Sequence, residues 1–488
     1  MNNAESPHQP SISRRELLGR CGMGFGMLGL AGILAEEGLL GASSVPDRSL
    51  NPMAPRPTHF APKAKRVIWL FINGGPSQVD TWDYKPELTR RHGQELDGFD
   101  KFTGFFSREV GALLKSPFEF TPRGESGKLV SEIFPHLGQH VDRMAFIHSG
   151  VPGSNNHSPA LFMMNSGQTR MGFPSLGSWV TYGLGSESND LPGFMVMSDP
   201  KDRGLPKGNA NNWSAGFLPG AYQGTWLRPK GDPIRNLQPP AGMSEAHQRS
   251  QLDLIAELNS ADLERNPLER ELAARIESFE LAYRMQSAAP EALDVDSEPA
   301  HVKELYGLHS ERCGHVARQC IMARRLLERG VRFIQIYSGG MENQRAWDGH
   351  IDILGNHSQF AGETDQPFAA LITDLEERGM LDDTLVIWGG EFGRLPVAQI
   401  GTSKPGRDHN PHCFTAWMAG GGIRGGVSYG ESDELGFKAA VDKVSVHDFH
   451  ATILHLLGLD HERLTYAYNG RSYRLTDVAG EVLHKILA

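Results

Sequence analysis

The sequence predicts an α/β protein: a mainly parallel central sheet, helices on both faces and a helix-rich insertion at about residues 200–330. Three observations carry that expectation. Short continuous apolar runs recur along the chain, as suits strands buried on both faces. Amphipathic helical patterns lie between them, the alternation that builds a parallel sheet. Several runs end in glycine-rich polar stretches, and an open α/β sheet presents its ligands at the carboxyl ends of its strands.

In chain order, the first 44 residues stand apart from the fold. Arg14-Arg15 precede an apolar stretch from Gly22 to Ala35. That stretch is too short to span a bilayer, and its charged-then-apolar order is that of an export signal. Small residues in LLGASS (39–44) offer a cleavage point. The arginine pair resembles a twin-arginine signal, which carries folded proteins across the bacterial inner membrane. A Sec signal with a chance arginine pair and an uncleaved anchor are the alternatives. The expectation is a periplasmic or extracellular protein, exported by the twin-arginine machinery, with no stable transmembrane segment after cleavage. Residues 45–64 read as a proline-rich lead-in and 65–488 as the domain.

The domain opens on RVIWLFI (66–72), an apolar run ending at NGGP. Similar runs follow: RMAFIH (143–148), GFMVM (193–197), VRFIQIY (331–337), TLVIW (384–388) and CFTAWMAG (413–420). Between them, Asn266-Pro267 with Glu269 reads as an N-cap, a first-turn proline and a capping carboxylate. Leu268, Leu272, Ile276 and Phe279 mark the apolar face that follows. Residues 311–329 read as a helix leading into the strand at 331. Phe360, Phe368, Leu371, Ile372 and Leu375 form a stripe that Gly379 ends. In 445–460, Phe449, Ile453, Leu456 and Leu457 make a last helix face with Gly458 as its stop, and His450 and His455 read as solvated helix residues. The loops NGGPSQVD, HSGVPGSNNHS, YSGGMENQRAWDGH and GGEFGR would share one sheet edge.

Composition bounds the function. The chain has 488 residues, 39% hydrophobic and 22% charged, with a formal charge of −10. That balance, with no basic stripe, argues against nucleic acid as a partner. Of four cysteines, Cys21 lies in the leader. Cys313 and Cys320 on a helix would stand about 10 Å apart, too far for a disulfide. Neither they nor Cys413 make a CxxC zinc site.

Candidate chemistry sits in the polar loops. Asp348 and His350, in WDGH, offer donors that suit zinc, manganese or similar divalent ions, and in an extended loop they can face the same way. A solvated surface pair is the alternative. Glu391 follows Gly389-Gly390, which permit close backbone approach; pairing with Arg394 is its alternative. GRDHNPH (406–412) gathers Arg407, Asp408, His409 and His412. Either histidine suits a ligand role, with Asp408 orienting an imidazole and Arg407 meeting an anion, although Asp, Asn and Pro also make plain turns. Ser158-Pro159 would start a helix, Ser158 as N-cap, and a helix N-terminus there favours an anion.

The order of these motifs resembles the alkaline phosphatase and sulfatase superfamily. TLVIWGGEFGR is similar to the sulfatase stretch in which a strand ends in Ser-Asp-His-Gly. DHNPHCFTAWMAGGGIRGG resembles a later one, where a ligand histidine precedes a strand. HDFHATILHLLGLD and HSPALFMMNSG resemble two more, the last being the nucleophile segment. Over residues 64–488 the chain most resembles an exported sulfatase-like family catalogued as a domain of unknown function (1501). The resemblance implies an alkaline phosphatase-like fold and a site for one or two divalent metals, zinc, manganese or calcium. Departures are visible. Asn73-Gly74 replaces the metal-binding aspartate that ends the first strand, with Asp80 or Asp83 as substitutes. His157 occupies the nucleophile position, with Ser158 next, and Leu161 replaces an arginine. Glu391-Phe392 replaces Asp-His.

The resulting expectation is a metal set of Asp348, His350, Glu391 and His409, with Asp408 and His412 behind it. His157 or Ser158 would be the nucleophile or one a further ligand, and Arg407 and Asn73 would contact substrate. The implied activity is hydrolysis or transfer of phosphate or sulfate esters on an anionic small molecule or polysaccharide. A non-catalytic scaffold or carbohydrate-binding member, and a partner of a surface-layer or polysaccharide system with a structural metal, are the rival readings.

Overall fold

All six expected apolar runs are strands of one sheet. The computed structural model describes residues 52–234, 237–239, 242–265, 270–401 and 404–488, without the side chains of 263, 264 and 270–276. The expected export signal, Cys21 and the expected cap at Asn266, Pro267, Leu268 and Glu269 lie outside the described residues, as do the side chains of Leu272 and Ile276. No helix among the described residues is long and apolar enough to cross a membrane.

The sheet comprises, among the described residues, β1 (Arg66–Ile72), β2 (Met144–Val151), β3 (Phe194–Met197), β4 (Thr225–Leu227), β5 (Phe333–Ser338), β6 (Thr384–Gly389), β7 (Phe414–Ala419), β8 (Val427–Tyr429) and β9 (Val444–Ser445). Their order is β8-β2-β7-β6-β1-β5-β3-β4, with β9 also pairing β2. Central β1 runs parallel to β5, with Val67 opposite Phe333, and to β6, with Val67 opposite Leu385. Only β7 breaks the pattern, antiparallel to both β2 and β6. The mainly parallel expectation therefore holds.

Every residue of β1 after Arg66 is buried, and the strand alternates between two cores. Ile68, Leu70 and Ile72 pack with residues of α5 (Gly314–Glu328) and α6 (Ile353–Glu377). Val67, Trp69 and Phe71 pack with α1 (His157–Ser166), α2 (Leu176–Leu184) and α7 (Val446–Leu456). A strand covered on both faces gains no water contact from any side chain, so it reads as one apolar run. The insertion contributes α3 (Glu245–Arg265) and α4 (Arg270–Leu293), but its span also holds β4 and α5, which belong to the sheet and its covering layer. The last part of the lead-in is likewise tied down: the Lys63 and Ala64 amides donate to the Leu456 carbonyl.

Two helix details differ from expectation. Asn156, not Ser158, caps α1, its side chain accepting from the Ser158 amide at 3.3 Å. His450 is not solvated. It is fully buried, 2.8 Å from the Met164 carbonyl through Nε2, and burial pushes its imidazole down to about 3. The amphipathic face of α7 is wide enough to take it in. At its start Ser445 and Asp448 make a reciprocal capping box.

Parallel pairing puts the ends of β1, β5 and β6 on one edge, together with the end of β2. Because β7 is antiparallel, its beginning lies there too, so the stretch before it, 406–412, arrives at the same place.

A candidate metal centre at the sheet edge

Four side chains converge at that edge: His157, Asp348, His350 and His409 each offer a donor atom, all within 4.8 Å of one another. Each arrives on a different piece of local structure. His157 is the first residue of α1, just beyond β2. Asp348 and His350 ride on the loop after β5. That loop is held against β1 by the Trp347 amide, which donates to the Asn73 carbonyl at 2.9 Å. Its approach requires glycine at 74, where φ is +108° and a Cβ would stand 2.7 Å from the Asp348 and Trp347 nitrogens. His409 belongs to a two-residue strand, His409–Asn410, paired antiparallel with Gly393–Arg394.

The three imidazoles gather around one carboxylate. His350 Nε2 lies 2.9 Å and His409 Nε2 3.3 Å from Asp348 Oδ1, and His157 Nε2 lies 3.3 Å from Oδ2. Each ring is fixed from behind through Nδ1. His157 Nδ1 is 2.8 Å from Glu391 Oε1, His350 Nδ1 2.6 Å from Gln399 Oε1, and His409 Nδ1 2.6 Å from the Asn155 carbonyl. All three partners only accept, the Gln399 amide being oriented by its donation to Glu109 at 2.5 Å. Every Nδ1 therefore carries a proton, and every ring turns its Nε2 inward, the atom that would serve as a metal ligand once unprotonated.

That arrangement is unfavourable without a cation. His350 Nε2 and His409 Nε2 are 2.9 Å apart, two lone pairs in contact. His157 Nε2 is buried and makes no well-aligned hydrogen bond, facing Asp348 Oδ2 at 3.3 Å. Burial would lower the His157 pKa, but the Asp348 and Glu391 carboxylates raise it to about 9, so a proton fills the gap. Burial, then His157, hold His409 well below its ordinary range despite Asp348. Burial would raise Asp348, yet Arg394 and the histidines hold it well below the usual carboxylate range. Inward lone pairs, outer acceptors and a central carboxylate fit a divalent ion.

The structure brings Asp348, His350 and His409 of the expected set together and exchanges the fourth. Glu391 faces the Nδ1 side of His157 and accepts the Gly74 amide on both oxygens, at 3.0 and 3.2 Å. His157 stands in the ring instead. Arg394 pairs with Asp348 at 2.6 Å rather than with Glu391. Asp408 lies 3.8 Å from His350 Nδ1 and accepts the Phe106 and His409 amides. His412 is outside the cluster, its ring 5.3 Å from that of Phe437. Ser158 is half-buried one residue beyond His157.

Neither expected substrate contact is free. Arg407 is fully buried, bound to Asp80 at 2.7 and 3.2 Å and to the carbonyls of Leu395 and Leu114. Asn73 donates its side-chain amide to the Gly340 carbonyl. Asp80 is thus engaged, and Asp83 pairs with Lys85 at 3.0 Å, so neither joins the cluster. Sequence reasoning missed Gln399 and the covering loop. Phe105 and Phe106 set their rings 5.7 and 5.0 Å from His409 and His350, and Asn155 ties that loop down through the Thr103 and Gly104 carbonyls.

A family model described as a protein of unknown function, DUF1501, matches residues 64–487, which bears out the family resemblance. Among solved structures, the lipoteichoic acid synthase LtaP from Listeria monocytogenes is 9% identical with a TM-score of 0.32, over 87% of this chain and 79% of its own. The PsFucS1 sulfatase from Pseudoalteromonas sp. is 11% identical with a TM-score of 0.35, over 82% and 68%. The phosphonate monoester hydrolase SpPMH from Silicibacter pomeroyi is 12% identical with a TM-score of 0.34, over 84% and 76%. No curated protein matches the sequence.

Proposed function

We propose that this chain, which belongs to the DUF1501 family of proteins of unknown function, is a metal-binding protein that takes one divalent cation on His157, Asp348, His350 and His409. The observation that carries the reading is the convergence of three inward Nε2 atoms on one carboxylate, each ring fixed by an acceptor behind it. Three nitrogens and one oxygen suit zinc, or manganese as second choice; calcium prefers oxygen throughout. Glu391, Gln399 and the Asn155 carbonyl hold the rings rather than the ion, and Arg394 balances Asp348. Metal analysis of the purified protein tests this. We expect about one zinc per chain, lost in His409→Ala and Asp348→Ala; no bound ion, or unchanged binding in both variants, would overturn it.

A second reading is hydrolysis of phosphate or sulfate esters. It is favoured by the motif order, by the position at the carboxyl ends of the strands and by Ser158, half-buried and next to His157 in the chain. Bound there, a divalent cation would polarise an ester oxygen and stabilise developing charge. Against it stands closure. The four donors are 1–7% exposed, and structural metal sites are those whose positions are all filled by protein. Metal binding without turnover is therefore the primary conclusion. Turnover of a phosphate or sulfate ester, abolished in Ser158→Ala with metal content unchanged, would establish the second reading. Export by the twin-arginine route belongs to the same proposal; fractionation of cells in which Arg14-Arg15 is changed to Lys-Lys should leave the protein in the cytoplasm.

A further inference from the structure

A cavity that shares no residue with the metal cluster opens beside β2 and β8. It has a volume of about 650 Å³ and is lined by Lys128, His148, Asp83, Ser428 and Arg424, among others. Lys128 is half-buried, its ammonium 4.4 Å over the Phe146 ring. Nζ lies 2.5 Å from His148 Nε2 and 3.4 Å from Ser428 Oγ. His148 Nδ1 is 3.3 Å from the Thr415 hydroxyl, so the ring can keep its proton there and accept from the lysine. An ammonium has three donors, and among the described residues the third has no protein partner. No carboxylate among them lies within ion-pair distance of Lys128 or Arg424.

The acidic neighbours are largely spoken for. Asp83 pairs with Lys85 at 3.0 Å, and Asp442 with Lys485 at 2.9 Å. Glu431 is exposed at the rim. What remains is a partly desolvated ammonium and the exposed Arg424 guanidinium, which gives one N–H to the Lys485 carbonyl at 2.6 Å and keeps others for a ligand, at a roomy, mixed-polarity hollow. Burial pushes Lys128 down to about 8 despite the Asp83 carboxylate, which pulls it up, and a buried charge that is incompletely paired is unfavourable.

We propose that this cavity binds a small molecule carrying an oxyanion (a carboxylate, sulfate or phosphate), with Lys128 and Arg424 as its cationic anchors. Lys128 would give its free N–H to one oxygen, and the volume suits a ligand larger than the anion alone.

The test is calorimetric titration of the full, metal-loaded chain with inorganic phosphate, sulfate and glucuronate. At least one should bind saturably. Lys128→Met should weaken that binding by about tenfold or more, the size of a lost charge-assisted hydrogen bond. Lys128→Arg should keep most of it. Arg424→Ala, which alters an exposed side chain, should weaken it too and decides the matter if Lys128→Met does not fold. Zinc content equal to that of the unaltered chain shows that a variant is intact. No saturable binding of any of the three, or unchanged affinity in the folded Lys128 and Arg424 variants, would overturn the proposal.

Discussion

Glu391→Gln separates holding a ligand from being one. In the structure Glu391 Oε1 accepts from His157 Nδ1 at 2.8 Å, and both of its oxygens accept the Gly74 amide. The amide substitute has the same shape. With its oxygen in the place of Oε1 it would still accept from His157 and Gly74, but its NH2 would face the Gly74 amide, itself a donor, and the negative charge behind the imidazole is gone. Losing such an outer acceptor lowers metal affinity by about 10–100-fold, or roughly 1.4–2.7 kcal/mol. His157→Ala removes the inward nitrogen itself and should cost more. Zinc affinity measured against a chromogenic chelator gives both values on one scale. The expected order is unaltered chain, then Glu391→Gln, then His157→Ala. Affinity within about twofold of the unaltered chain in Glu391→Gln would show that the acceptor does not tune the ring. Equal losses in the two variants would make Glu391 a ligand, against the geometry.

Further outcomes follow from the same arrangement. Zinc binding near neutral pH should release about one proton, because metal displaces protons from its ligands and His157 keeps its proton up to about 9 in the metal-free protein; calorimetry in buffers of different ionisation enthalpy reads the number. Since that folded value lies above the ordinary 6.5, the His157 contribution to metal-free stability is fully present below pH 6.5 and lost as pH rises through about 9. Melting temperatures of metal-free protein and of His157→Gln should therefore converge across that interval. Arg394 is fully buried against Asp348, so Arg394→Met should cost the metal-free protein about 3–5 kcal/mol in urea unfolding, the price of an orphaned buried charge, with part regained on adding zinc. Gly74→Ala, with φ at +108° and a Cβ 2.7 Å from the Asp348 amide, should displace the 346–350 loop and lower zinc binding; unchanged binding would mean that the loop is not held through that contact.

Much of the fold was legible because burial on both faces leaves a plain signature. After their first residues, Arg66 and Thr384, RVIWLFI and TLVIW admit no polar residue, and both became central strands. The direction of β7 was not legible, since an antiparallel strand buried on both faces carries the same apolar run. Asp348, His350 and His409 stood out as polar residues concentrated after apolar runs. The roles of Glu391 and His157 could not be sorted, because both lie at strand or helix ends and only side-chain direction separates an inward imidazole from the carboxylate behind it. Gln399 gave no signal: an isolated glutamine acquires its role when 397–399 pairs with Val110–Leu113 and turns it toward His350. Arg407 misled for a similar reason. A guanidinium beside histidines suits an anion, but Asp80, far away in sequence, folds in as its partner.

Diffraction from crystals grown with zinc, collected on both sides of the zinc absorption edge, tests the central claim most directly. One anomalous peak enclosed by His157, Asp348, His350 and His409, with Glu391 on the far side of the His157 ring, is the expected map. No peak among those four side chains in zinc-bearing crystals, or a peak bound by Glu391 with His157 turned away, would contradict it.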